Sequence, residues 1–183
     1  MTDSDERLHE LADKDAIRGL IHAYCRAVDR LDIPLGHSIW HENGHANYGA
    51  DYYQGPGRGV IDRICADHRN LLSHSHQVTN ILVALAGDRA GSEAYVNGTM
   101  RTERDGKLYQ IAVWGRYCDN WEKRLGKWGL VHRQVVFEHE EIRPVTALGH
   151  SNQGRRDGSD PSYAALKLDP ARFPASIHEE NQR

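Results

Sequence analysis

The chain has 183 residues, of which 39% are hydrophobic, and a formal net charge of −3 at pH 7. This length favours one domain that can bury its own core. The sequence lacks the clustered basic residues that nucleic-acid binding requires and any run near about 18 apolar residues that would span a membrane, so we expect a soluble, cytoplasmic protein.

The first part of the chain is predicted to be helical. Residues 5–31 form a long amphipathic helix, because apolar side chains recur at the spacing of one helix face: Ile17, Leu20, Ile21, Tyr24, Val28 and Leu31. A short second helix is expected in residues 34–44, stopped by Gly44, and a third in residues 59–72. Residues 45–55 are expected to form short strand and turn structure.

From Ser73 onward the hydrophobic pattern changes to the two-residue period of strands. Four long strands are predicted, at residues 73–86, 89–104, 107–124 and 127–142. The connections AGDRA, ERDGKL and KRLGKW each place a glycine as antiparallel hairpin turns do. Helices followed by a meander predict an α+β fold, in which N-terminal helices pack on a strongly curved, mostly antiparallel sheet.

The predicted domain covers residues 1–146. From residue 147 to residue 183 the sequence is polar and irregular, and it includes the stretch GHSNQGRRDGSDPS. We expect this C-terminal tail to cover the pocket as a lid or to be partly disordered.

Two histidines stand at the start of the first long strand, in the stretch SHSHQVTN. Because side chains alternate along a strand, His74, His76 and Asn80 share the face expected to point into the concavity of the sheet. A neutral imidazole there is a suitable general base near pH 7, provided that a carboxylate holds its second nitrogen. Asp29 is a candidate. An anion in the last helical turn interacts unfavourably with the helix dipole, so a carboxylate placed there suggests a function. Periodicity alone does not choose between Asp29 and Asp32.

Metal binding is the alternative use of these histidines. Besides the strand pair, three upstream histidines offer ligands: His37, His41 and His45. They share a helix face only if the helix continues past Gly44, and no carboxylate forms a tight motif with them, so a metal site is not predicted.

No cofactor is predicted either, because the sequence has neither a phosphate-binding glycine loop nor a dinucleotide fingerprint. The three cysteines, Cys25, Cys65 and Cys118, are far apart and form no CxxC motif, so we expect reduced thiols.

Three stretches carry a resemblance to a known family: AIRGLIHAYCRAVDRLD, HSHQVTNILVALAGDRAGSEAYV and GRYCDNWEKRLGKWGLVHR. Over residues 8–143 the sequence resembles the SnoaL-like group of the nuclear-transport-factor-2-like superfamily. Within that group it is most similar to cofactor-independent lyases of the scytalone dehydratase and hexachlorocyclohexane dehydrochlorinase type. The resemblance implies a cone-shaped α+β barrel with a deep apolar pocket, assembled as a homotrimer or, as the second choice, a dimer.

The resemblance also assigns site residues. In such lyases a helix-end aspartate supports a histidine that begins an HxxxN run, which here gives the catalytic pair Asp29 and His76, followed by Asn80. Asn80 is expected to tie the sheet to a neighbouring loop more than to contact substrate. Further substrate-binding candidates come from the first helix, the segment that lines or covers the pocket in this fold, and the later strands: Tyr24, Trp40, Tyr48, Tyr52, Tyr53, Val96, Gly98, Trp114, Arg116 and His132.

The predicted activity is elimination from an apolar aromatic or polycyclic small molecule, in a pathway of aromatic catabolism. His76 would remove a proton, a leaving group such as water, halide or a small carbonyl fragment would depart, and a Tyr or Trp donor would stabilise the developing charge. An isomerase or cyclase using the same pair is the alternative. A non-catalytic protein like the β-subunit of ring-hydroxylating dioxygenases is a further one.

Overall fold

The computed structural model describes residues 2–145 and 149–168. Its helices and strands follow the predicted order of helices and then a meander. In chain order they are α1 (Asp3–Arg30), α2 (Ile33–Ser38), β1 (Trp40–Asn47), β2 (Gln54–Pro56), α3 (Gly57–His68), β3 (Ser73–Ala86), β4 (Arg89–Arg104), β5 (Lys107–Arg124), β6 (Lys127–Pro144) and α4 (Pro161–Leu166).

Helix α1 begins at a capping box and ends at a left-handed residue. The Thr2 side chain accepts from the Asp5 backbone N–H while Asp5 accepts from the Thr2 N–H, and Leu31 has a φ of 54°. The inner face is buried at the predicted spacing, by Ile17, Ile21, Tyr24, Val28 and their neighbours. This geometry places Asp29 beside the buried stripe, one residue from the helix end.

The six strands form one sheet in the order β2-β1-β6-β5-β4-β3. Only β1 and β6 pair in parallel among the described strands, and the other neighbours are antiparallel. Asp105 and Gly106, and likewise Leu125 and Gly126, all have positive φ, which the type I′ hairpin turn requires. The N-terminal helices pack on this curled sheet, so the predicted α+β fold is confirmed.

The predicted second helix is too long. It ends at Ser38, and residues from Trp40 onward form β1, which pairs in parallel with β6. A register shift between Trp40 and His45 hides the two-residue period. A Cβ on Gly44 would lie only 2.8 Å from Trp40 Cε3 and 2.9 Å from Leu130 O, so this glycine permits the close approach of the strands rather than stopping a helix.

A β-bulge in β3 changes which side chains face inward. Asn80 has a φ of 51°, and the pairing with β4 shifts by one residue between Thr79 and Leu82. Before the bulge the even-numbered His74, His76 and Val78 face inward, and after it Ile81, Val83 and Leu85 do. The expectation that Asn80 shares the inward face with His76 is therefore wrong, because the extra residue reverses the alternation.

The described part of the C-terminal tail packs across the ends of α1 and α3. Arg156 donates from Nη1 to the backbone oxygen of His68 at 2.7 Å. Tyr163 is 3% exposed, and its ring lies 4.9 Å from the guanidinium carbon of Arg26. Residues 149–168 thus join two helix ends that are far apart in the sequence.

The predicted domain boundary after residue 146 and the predicted lid or disorder beyond residue 168 fall outside the described residues, so both stay predictions. Within residues 2–145 and 149–168, no helix is both long and apolar enough to cross a membrane.

Candidate active site

The two residues predicted to be catalytic are in direct contact. Asp29 Oδ1 accepts from His76 Nδ1 at 2.7 Å, and Asp29 Oδ2 accepts from the His76 backbone N–H at 3.0 Å. The side chains are only 15% and 13% exposed, respectively. This two-point contact orients the imidazole and makes Nδ1 the protonated nitrogen, which leaves a lone pair on Nε2.

The neighbouring histidine anchors the same strand to the same helix. His74 Nε2 donates to the backbone oxygen of Val28 at 3.1 Å. Since Val28 precedes Asp29, the first residues of β3 are tied to the last turn of α1 through both main-chain and side-chain groups. The structure therefore gives His74 a positioning contact beside the pair.

His76 lines a cavity of about 460 Å³ between the helices and the sheet. Much of its wall is apolar, with Val28, Ile64, Val96, Met100, Val113 and Val135 among the lining residues. Gly98 lies on β4 directly across from His76, and a Cβ at that position would be 3.4 Å from His76 Nε2. The missing side chain leaves Nε2 open to the cavity.

Two tyrosines supply hydroxyl groups to the same cavity. Tyr24 and Tyr48 both line it, are 1% and 6% exposed, and hydrogen-bond to each other through their hydroxyls. Burial raises the pKa of Tyr24 well above its ordinary value and also raises the pKa of Tyr48. Both phenols therefore stay protonated at neutral pH. One O–H serves the hydrogen bond between them, and the other can donate into the cavity.

A buried ion pair supports this tyrosine pair. Arg133 donates from Nε and Nη2 to the two carboxylate oxygens of Asp119 at 2.8 and 2.7 Å, and both side chains are fully buried. The guanidinium lies 4.1 Å from the ring of Tyr24 and 3.9 Å from that of Tyr117. Its charge is thus matched by a carboxylate and covered by two aromatic faces.

Several residues predicted to bind substrate lie on the cavity beside His76. They are Tyr24, Tyr48, Tyr52, Val96 and Gly98. Two others belong to the adjacent packing. Trp40 is 3% exposed and packs so closely on α3 that a Cβ on Gly57 would be 2.0 Å from Trp40 Cε3. The Tyr53 hydroxyl donates to Pro56 O at 2.9 Å.

The remaining candidates lie away from the cavity. Asn80 is exposed in the bulge. Trp114 stacks on His139 at 4.5 Å, Arg116 pairs with Glu93 and Glu138 at 2.8 Å each, and His132 stacks near His45 at 6.1 Å. Trp114 and Arg116 lie away from the cavity because side chains alternate along β5. Val113, Gly115 and Tyr117 line the cavity, so the side chains between them point to the opposite face.

One cavity residue that the sequence interpretation missed is His68, at the end of α3. Its ring stacks on that of His76, with centroids 5.9 Å apart, and lies 4.7 Å from that of His74. The buried positions Val60, Ile61, Ile64 and Cys65 extend to His68 at helical spacing, and this pattern could have placed it inside. Within the described residues, no group of three or more His, Cys, Asp or Glu is arranged to hold a metal ion.

A protein-family model described as "SnoaL-like domain" matches residues 9–134. The chain belongs to the SnoaL-like domain family. The match includes α1 with Asp29, the cavity wall from α3, and β3 with His76. Among curated proteins, none matches the sequence of this SnoaL-like protein significantly.

Solved structures with the same fold include enzymes and candidate enzymes. The hexachlorocyclohexane dehydrochlorinase LinA-type3 from Novosphingobium barchaimii is 17% identical, with a TM-score of 0.65, covering 80% of this chain and 99% of the other. A candidate scytalone dehydratase from Novosphingobium aromaticivorans is 18% identical, with a TM-score of 0.63 and coverage of 78% and 97%. A candidate aromatic ring hydroxylase from the same organism is 26% identical, with a TM-score of 0.62 and coverage of 74% and 94%.

Proposed function

We propose that this SnoaL-like protein is a cofactor-independent lyase that eliminates a small leaving group from an apolar aromatic or polycyclic molecule. The observation that carries the proposal is the contact of Asp29 with both Nδ1 and the backbone N–H of His76, which leaves Nε2 available at an apolar cavity. The named activities of the dehydrochlorinase and the candidate dehydratase of the same fold agree with this reaction class.

The reaction begins with proton removal by His76. Nε2 takes the proton from a carbon or hydroxyl of the substrate, and Asp29 stabilises the imidazolium that forms. The electron pair of the broken bond to hydrogen forms a new double bond. Halide or hydroxide departs from the adjacent carbon with the pair of its own bond, and hydroxide takes the proton of the His76 imidazolium to leave as water. When the proton comes from a hydroxyl, the new double bond is the carbonyl of the departing fragment, and the pair of the broken carbon–carbon bond stays on the ring compound, which takes the proton back from His76.

The tyrosine pair stabilises the negative charge that develops on the substrate or the leaving group. Tyr24 and Tyr48 remain protonated because burial raises the pKa of each phenol. A hydroxyl that donates to a developing oxyanion or to the leaving group lowers the barrier without needing a metal ion. The Arg133–Asp119 pair holds the ring of Tyr24 in place by stacking on it.

The charge distribution favours an uncharged substrate. Among the described residues that line the cavity, the charged side chains are Asp67 and Glu140, and both are acidic. Arg133, the nearby cation, is already paired with Asp119. A substrate carboxylate would therefore meet repulsion without a free positive partner, whereas a neutral ring system would lose only water from apolar surfaces.

The experiment is a turnover screen of purified protein treated with a chelator. The compounds are lignin-derived diaryl compounds, hydroxysteroids and chlorinated rings, with product analysis to separate elimination from isomerisation or cyclisation. Wild type is compared with His76→Ala and Asp29→Asn, and with His132→Ala as a matched histidine on the sheet away from the cavity. We expect turnover to survive chelation, to fall roughly 100-fold or more in both site variants, and to be unchanged in the control. Activity that survives His76→Ala, or that is lost on chelation, would refute the proposal.

A further inference from the structure

His68 is a polar group of the cavity wall that the proposed reaction does not use. It lies beside His76, with the two rings nearly parallel at an angle of 12°. Its Nδ1 is buried and has no hydrogen-bond partner among the described residues. Burial closes Nδ1 to the cavity, so a ligand there reaches the ring through Nε2, to which no described residue hydrogen-bonds. A ligand that hydrogen-bonds this second nitrogen is therefore favoured at the cavity wall.

The ring is neutral under ordinary conditions. Burial, reinforced by the neighbouring His74 and His76, lowers the pKa of His68 to about 3, against smaller opposing effects of Asp29 and Asp67. A neutral imidazole has one N–H donor and one lone pair. It can bond to a hydroxyl or carbonyl oxygen.

The backbone that carries the ring is fixed from outside the cavity. Arg156 donates to the backbone oxygens of His68 and Leu71, which are exposed by the end of α3. The last turn of the helix is therefore held before a ligand arrives, and less conformational freedom is lost on binding.

We propose that His68 hydrogen-bonds a neutral oxygen substituent, a hydroxyl or a carbonyl, on the apolar substrate, at the same wall as His76. The inference rests on the proposed function in one respect, namely that this cavity is the substrate site. It narrows the substrate class to uncharged, oxygen-bearing ring compounds, in agreement with the acidic side chains of Asp67 and Glu140 at the cavity.

The test uses two probes of nearly equal shape, 2-naphthol and 2-methylnaphthalene. The first carries a hydroxyl group where the second carries a methyl group. Dissociation constants are measured for wild type, for His68→Phe, which keeps a planar ring, and for His132→Phe, a matched change at a histidine that lies on the sheet away from the cavity. We expect wild type to bind 2-naphthol about 5- to 10-fold more tightly than 2-methylnaphthalene. In His68→Phe that ratio falls to about one while 2-methylnaphthalene binds as before, and in His132→Phe the ratio is kept.

The proposal is overturned if His68→Phe keeps the preference for the hydroxyl or if wild type has none. Nitrogen NMR of the imidazole rings in wild type gives a second measurement that needs no variant to fold. There, 2-naphthol is expected to shift a His68 nitrogen and 2-methylnaphthalene to leave it unchanged; equal shifts would contradict the proposal. Binding requires no turnover, so these results are independent of whether His76 acts as the base.

Discussion

The two carboxylate oxygens of Asp29 bind different donors. Oδ1 accepts from the imidazole N–H of His76 and Oδ2 accepts from its backbone N–H. A side-chain amide at this position has one oxygen and one NH₂ group, so in either orientation of the amide one of the two donors would face another donor. The Asp29→Asn variant therefore either misplaces the ring or the strand, or moves the imidazole proton from Nδ1 to Nε2 and so removes the lone pair of the base. In each case it also removes the negative charge.

The pKa of His68 makes stability depend on pH in a definite direction. The folded protein does not protonate this ring until the pH approaches about 3, whereas the unfolded chain does so near 6.5. Between these values the unfolded state binds the extra proton, so the free energy of unfolding falls as the pH is lowered. Above pH 6.5, the pKa of this ring in the unfolded chain, the full contribution of the neutral His68 to stability is kept.

We expect wild type to lose about 2 kcal/mol more than His68→Phe between pH 7 and pH 5, measured by urea unfolding at both values. The neighbouring His74, whose pKa is also lowered by burial, contributes in both proteins and cancels in the difference. Equal pH dependence of the two proteins would mean that His68 is accessible to protons in the folded state.

Sequence patterns predict single site residues only where an independent constraint exists. Asp29 is selected over Asp32 by family resemblance and not by periodicity. In the structure, the carboxylate of Asp32 accepts from the backbone N–H of Leu35 at 3.0 Å and caps α2. His68 follows the apolar stripe of α3, but the contact with His76 depends on how α3 meets β3, which no local pattern contains.

At the scale of elements, the bulge in β3 is a one-residue insertion held by a left-handed backbone. Asn80 tolerates its φ of 51° better than most residues, because its short polar side chain suits this conformation. Its side chain is exposed, so a substitution at this position removes no core packing. Asn80 is therefore expected to stabilise the bulge in β3 and not to contact the substrate.

We expect Asn80→Val to lower the free energy of unfolding by about 1–2 kcal/mol, because a β-branched residue is strained in the left-handed region. Asn80→Gly should be nearly neutral, and Thr79→Val, the exposed neighbour in extended backbone, is the matched control. Chemical denaturation measures all three, and turnover should be kept in each folded variant. A tolerated valine, or lost turnover in Asn80→Gly, would contradict this assignment.

Element predictions are accurate where the local pattern and the tertiary partner agree. The bounds of β3, β4 and β5 match the predicted ones because one glycine in each hairpin connection marks where the strands turn: Gly87, Gly106 and Gly126. Strand β1 is different, since its partner β6 lies far along the chain and its register shift interrupts alternation. The same kind of shift in β3 reverses the faces beyond Thr79.

At the scale of the whole molecule, residues 149–168 join the helix ends that carry the site. Arg30 lies 3.5 Å from Asp160, and Arg26 donates to Ser162 at 3.1 Å. Tyr163 covers the guanidinium of Arg26. The helix that presents Asp29 is therefore held from outside as well as by the sheet.

We expect Tyr163→Ala to lower the free energy of unfolding by up to about 3 kcal/mol, because it removes a buried aromatic ring. Leu166→Ala, in the same helix but 57% exposed at the native leucine, should have little effect. Thermal unfolding and hydrogen exchange of the α4 amides measure the change. If both variants behave like wild type, the tail does not dock in solution.

The C-terminal tail also shows that the support of the cavity extends beyond the residues that match the family model. The shared family domain ends at residue 134, yet Arg156, well beyond it, fixes the turn that carries His68. A chain trimmed at residue 134 would keep His76 and Asp29 but lose this outer support and the second half of β6, with Val135 and Glu140 of the cavity wall. A segment outside the family match thus contributes to the support of the cavity wall in this protein.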